Sequence, residues 1–87
     1  MKLKQKFILR KLGNENILIP LAEKTDTFEG IISLNETGSF IWNNIEKGYS
    51  IEEITDKVIE EYEVDKEEAY QHVLELCNNF KKLGILE

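Results

Sequence analysis

From Asp65 to Gly84 the chain carries one long helical pattern, and no other stretch constrains the fold as strongly. Ala69, Val73, Leu76, Phe80 and Leu83 recur at spacings of four, three, four and three, which sets them in one seam along a helix. Asp65-Lys-Glu-Glu68 supplies a capping box at its start, and Gly84 supplies a stop. A second stripe, Tyr70, Leu74, Cys77 and Lys81, runs beside the first at helical spacing. One seam is enough to pack this helix against neighbours. The second stripe either covers a sheet or stays open as the wall of a groove.

Two more helices precede it. Asn35 is placed to cap the first, with Glu36 at the positive end of its dipole. Phe40, Ile41, Trp42 and Ile45 form its buried side, and Gly48 ends it. Ser50-Ile-Glu-Glu53 is a capping box for the second, with Tyr49 and Ile54 set as a hydrophobic staple. Its apolar stripe is Ile51, Ile54, Val58 and Tyr62.

Strand signals fill the earlier part. Lys6–Leu12 and Ile17–Leu21 are aliphatic, β-branched runs separated by Gly13-Asn-Glu-Asn16, a hairpin pattern. A third run, Phe28–Leu34, follows a polar loop. Pro20 lacks a donor, so a bulge or strand end is expected there. The expected fold class is α+β, with a three-stranded antiparallel meander followed by three helices. The arrangement is winged-helix-like, and residues 1–87 form a single domain. Eighty-seven residues leave no room for a second.

Charge narrows the function. The net charge is −6, but residues 1–12 hold five basic residues and no acid, leaving six basic and seventeen acidic residues elsewhere, a balance of −11. A protein that binds duplex nucleic acid replaces counterions with Lys and Arg, and an acidic helical body does not suit that role. The third helix sets Lys66, Lys81 and Lys82 against Glu67, Glu68 and Glu75, so it lacks a basic recognition face. A winged-helix DNA-binding or transcription-associated domain is therefore the alternative, not the leading reading. The single Cys excludes an internal disulfide and fits a reducing cytosol. No apolar run is long enough to span a membrane, and the basic start lacks a signal-peptide core. A cytoplasmic location is expected.

Catalytic patterns are nearly absent. His72 and Cys77 are the only His and Cys, and five residues along a helix sets them about 140° apart, too far for a nucleophile–base dyad. A solvated His and a small buried thiol account for them. The pairs Glu52-Glu53, Glu60-Glu61 and Glu67-Glu68 fall on outer helix faces or in caps. There is no glycine-rich phosphate loop and no metal-ligand spacing. Neither an enzyme nor a cofactor is expected.

The run Leu34-Asn35-Glu36-Thr37-Gly38-Ser39-Phe40-Ile41-Trp42 resembles the "LNxTGxxIW" signature of the PqqD-like family, the RiPP recognition elements. Glu60-Glu-Tyr-Glu-Val-Asp65 resembles that family's link between its last two helices, and Leu83-Gly-Ile-Leu-Glu87 its closing turn. The resemblance implies a non-catalytic domain that binds the leader segment of a ribosomally made precursor peptide by strand addition. It implies delivery of that peptide to a modifying enzyme, a radical SAM maturase in many family members. The implied binding residues are Phe28, Gly30, Ile31, Ile32, Ser33 and Leu34 on the strand, with Tyr70, Val73, Leu74, Cys77 and Lys81 on the helix. Gly30 reads equally well as a β-bulge. A free strand edge also leaves homodimerisation through strands open.

Overall fold

A computed structural model describes residues 1–21 and 30–87. Its elements are β1 (Phe7–Leu12), β2 (Glu15–Pro20), β3 (Ile32–Leu34), α1 (Glu36–Glu46), α2 (Ile51–Tyr62) and α3 (Lys66–Lys82). The strands form an antiparallel sheet in the order β1-β2-β3, as the meander requires. Gly13, at φ +64°, takes the left-handed conformation that the tight β1–β2 turn needs. Pro20 is the last residue of β2, opposite Phe7, so its missing N–H interrupts no central ladder.

The third strand is shorter than the sequence suggests. Gly30 lies in a bend, Ile31 has no regular structure, and pairing begins at Ile32 opposite Leu18. The Phe28 end of the expected strand lies outside the described residues.

The core forms where the inner face of the sheet meets the helices. Phe7, Leu18 and Leu34 come from the strands; Ile41, Trp42, Ile45, Ile54 and Val58 from α1 and α2; Ala69, Val73, Cys77 and Phe80 from α3. Trp42 is fully buried between Phe7 and Phe80, with ring centroids 5.4 and 5.3 Å away and both contacts edge-to-face. Thr55 joins the interior by donating its hydroxyl to the Ile51 carbonyl at 2.8 Å, which satisfies it within its own helix.

The helix ends follow local chemistry. Asn35 Oδ1 accepts from the Gly38 amide at 2.7 Å, Asp65 Oδ1 accepts from the Glu68 amide at 3.1 Å, and Ser50 with Glu53 completes a reciprocal capping box. That box holds the Glu53 carboxyl below its ordinary value, chiefly through the hydrogen bond from the Ser50 backbone. α1 closes at Gly48 and α3 at Gly84, each with paired backbone bonds: Tyr49 N–H to Asn44 O and Gly48 N–H to Ile45 O, then Ile85 N–H to Phe80 O and Gly84 N–H to Lys81 O. α2 instead ends on Glu63 at φ +51°, a left-handed position that no glycine signals. After α3 the chain turns in: Ile85 and Leu86 are buried, and Leu86 bridges Leu3 in antiparallel fashion. No described helix is long and apolar enough to cross a membrane.

Gly38 is where the joint between β3 and α1 is tightest. A Cβ there would sit 3.1 Å from Asn35 Oδ1 and 3.4 Å from Leu34 Cβ. A side chain at 38 thus presses on the capping oxygen and on the last core residue of β3. Gly38→Val is expected to lower unfolding free energy by about 2 kcal/mol, and Asn35→Ala by about 1 kcal/mol. Urea titration of the double variant should show a loss smaller than the sum, because removing Oδ1 relieves half of the clash. Strict additivity would show that the cap and the glycine do not interact.

The Glu53 carboxylate stabilises the fold at pH above its ordinary value of 4.5, and this contribution disappears as pH falls through the lowered value. Thermal midpoints measured down a pH series should fall more steeply for the wild type than for Glu53→Gln, which has no carboxyl to protonate. Parallel profiles would show that this carboxyl does not contribute.

Candidate peptide-binding site

β3 is one of the two edge strands of the sheet, β1 being the other. β3 pairs with β2 on one side, and among the described residues no strand pairs with its other side. Along an antiparallel strand, alternate residues turn their N–H and C=O groups to either side, so a short edge still offers backbone partners to an extended chain.

β3 runs directly into α1 through Asn35, which brings the head of α1 to the end of the edge strand. Facing it is one flank of α3. Together they enclose a pocket of about 230 Å³ lined by Asn35, Thr37, Gly38 and Ile41 on the α1 side and His72, Glu75, Leu76 and Asn79 on the α3 side. That volume suits one side chain, not a free drug-sized ligand. Its lining mixes one aliphatic wall, Ile41 and Leu76, with amide, imidazole and carboxylate groups.

The sequence-derived residues divide. Ile31 is 68% exposed and Ser33 is exposed, while Ile32 is half-buried against the core. Gly30 is exposed at the bend, and Phe28 lies outside the described residues. Val73 and Cys77 are fully buried in the core and, contrary to expectation, present no side-chain surface to a guest; the Leu34 side chain is buried too, and only its backbone lies on the edge strand. Tyr70, 39% exposed, lines a separate depression with Glu52, Thr55, Asp56 and Lys66 between α2 and α3. Half-buried Leu74 and exposed Lys81 share its side of the helix.

The reason is rotational. At about 100° per residue, His72, Leu76, Asn79 and Leu83 fall on one flank of α3, with Tyr70, Leu74 and Lys81 more than 100° round on the other. The core occupies the arc between them, which is why Cys77 is fully buried while Leu83, expected in the seam, is 44% exposed. Sequence spacing identified the two stripes, and the structure sets the Leu76 flank, not the Tyr70 flank, beside the pocket at the head of α1. The missed residues His72, Glu75 and Asn79 carried no apolar signal. Only the shared i, i+3, i+4 spacing with Leu76 marks them.

Cys77 is also chemically quiet: burial pushes its thiol up, outweighing the opposing influence of Lys81. His72 is exposed on the opposite side, so the two share no site. Among the described residues no cluster of His, Cys, Asp or Glu is arranged to hold a metal.

Comparison with known proteins agrees with this architecture. The family described as "Coenzyme PQQ synthesis protein D (PqqD)" matches residues 17–86, and the chain belongs to that family. Among solved structures, "TbiB1 in Complex with the TbiA(beta) Leader Peptide" is similar, with a TM-score of 0.76 and 26% identity, over 100% of this chain and 95% of that one. "Lasso peptide synthetase B1 complexed with the leader peptide" shares the fold at a TM-score of 0.75 and 19% identity, over 97% and 93% of the two chains. No curated protein matches the chain significantly.

A disulfide-exchange reagent should modify Cys77 in the native protein about 100-fold more slowly than in denaturant. Equal rates, followed by absorbance, would show that the thiol is accessible.

Proposed function

We propose that this domain binds the leader segment of a ribosomally made precursor peptide and presents it to a separate modifying enzyme, itself doing no chemistry. The observation that carries this reading is the edge strand β3 ending at a side-chain-sized pocket between α1 and α3. An extended leader pairs its backbone with β3, and one side chain enters the pocket. Membership of the PqqD family supports the reading, as do the two similar structures, each described as complexed with a leader peptide.

The geometry limits affinity. Three residues of β3 supply only two or three backbone bonds, each contributing about 0.5–1.5 kcal/mol. One or two buried anchors add about 1.5–3 kcal/mol each, less the ordering cost of the leader. Micromolar binding, about −8 kcal/mol, is the expected scale. Binding of that strength allows release once the core of the peptide has been processed. The receiving enzyme is proposed to be a radical SAM maturase, the partner class that the family resemblance implies, with both proteins in the cytoplasm.

The pocket makes the reading testable. Asn79→Arg places a long side chain into it from an exposed helix position, and is expected to weaken leader binding about tenfold or more. Leu74→Arg, on the other flank, should leave affinity within about twofold. Calorimetric titration of the two folded variants with the leader peptide checks both. A larger loss from Leu74→Arg would move the groove to the α2 side of α3.

A further inference from the structure

The outward face of the sheet departs from the alternation expected of a solvated antiparallel sheet. Phe7, Leu18 and Leu34 point inward to the core, so the strand register sends Ile8, Arg10 and Leu12 of β1, Glu15, Ile17 and Ile19 of β2, and Ser33 of β3 to the opposite side. Ile8 is paired with Ile19, and Ile17 lies between Arg10 and Ser33. Three isoleucines thus adjoin in the centre of the face that a two-layer fold normally leaves polar. Each is half-buried, and among the described residues none belongs to the core or to the side chains packed against it. Exposed Leu12 and Leu21 extend the apolar surface at the two ends of the hairpin. Strands apolar on both faces are the pattern of a sheet covered on both faces.

The charge around this patch indicates what covers it. Arg10 lies on the outward side of β1 and exposed Lys6 immediately precedes that strand, within the segment of residues 1–12 that holds five cations and no acid, while the remainder of the chain has a balance of −11. A second copy docking by the same face would bring two such cationic segments together, since a two-fold interface sets each surface against itself. A different protein with an apolar patch and an acidic rim fits both features.

We propose that the outward face of the β1–β2 hairpin, centred on Ile8, Ile17 and Ile19 and rimmed by Lys6 and Arg10, is the docking surface for the modifying enzyme, through an apolar patch with an acidic rim on that enzyme. This rests on the leader-delivery reading above. The face lies across the sheet from the helices, and the pocket lies between α1 and α3, so leader and enzyme can be held at the same time. Delivery requires such a ternary complex.

The test uses the full chain, the leader peptide and the purified modifying enzyme that acts on the same precursor. Ile17→Thr/Ile19→Thr keeps β-branched residues in the strand while removing apolar surface, and Arg10→Glu reverses a charge at an exposed position. Both variants are expected to bind the enzyme about tenfold or more weakly, with leader affinity within about twofold of wild type. Raising NaCl from about 50 to about 500 mM should weaken wild-type binding to the enzyme more than it weakens Arg10→Glu. No complex with the enzyme, or unchanged enzyme affinity in both folded variants, overturns the proposal. It is also overturned if sedimentation shows a wild-type dimer, or co-pelleting shows binding to anionic vesicles, that Ile17→Thr/Ile19→Thr abolishes. Failure of the wild-type chain to bind leader at all would instead overturn the delivery reading.

Discussion

The fold depends on a single aromatic clamp. Trp42 sits between Phe7 of the first strand and Phe80 of the last helix, with no exposed surface of its own. Three elements far apart in sequence meet at this ring, and each aromatic pair adds about 0.5–1.5 kcal/mol beyond its buried area. A chain this size buries only about 60% of its unfolded surface, so the clamp is a large share of what holds the layers together. Because Trp42 lies on α1, it also fixes where the head of that helix stands relative to α3. The pocket is set by this same contact.

Around the clamp, the C-terminal end of α3 is tied down by backbone bonds. The Phe80 carbonyl accepts from both Ile85 and Leu86, turning the chain inward after Gly84. Lys4 N–H then donates to Ile85 O at 2.8 Å, and Glu87 N–H to Lys2 O at 2.9 Å. The groove wall is therefore anchored both by side chains in the core and by the chain segments that close over its end. A rigid wall lowers the ordering cost on the protein side of binding, leaving that cost mainly to the peptide.

Local chemistry was readable from the sequence, and three-dimensional placement much less so. Asn35, Ser50, Asp65, Gly48 and Gly84 all act at the helix ends where their residue types predict, since a cap depends on four or five consecutive residues. Glu63 escaped notice because its left-handed turn has no glycine to announce it. The length of β3 was overestimated because an apolar run marks potential to pair, and only the register with β2 decides which residues do. The α3 stripes are separable by spacing, but spacing alone does not say which flank meets the head of α1. Cys77 reads as a marginal residue on a helical wheel, and its burial follows only once α2 and the sheet are in place around it.

The same limitation conceals the outward sheet face. In sequence, KFILRKL and ILIPL look like strands whose apolar residues all serve one core. Pairing Phe7 with Pro20 and Leu9 with Leu18 assigns alternate residues to opposite faces, and Ile8, Ile17 and Ile19 are then left without a core to enter. A one-residue slip in that register would exchange the faces and bury Arg10 in place of Leu9, so the register is strongly fixed. A second apolar face maintained under that constraint lowers solubility and adds nothing to the packing around Trp42. It is consistent with selection for contact with another molecule, and its position across the sheet from the helices separates that contact from the pocket at the head of α1.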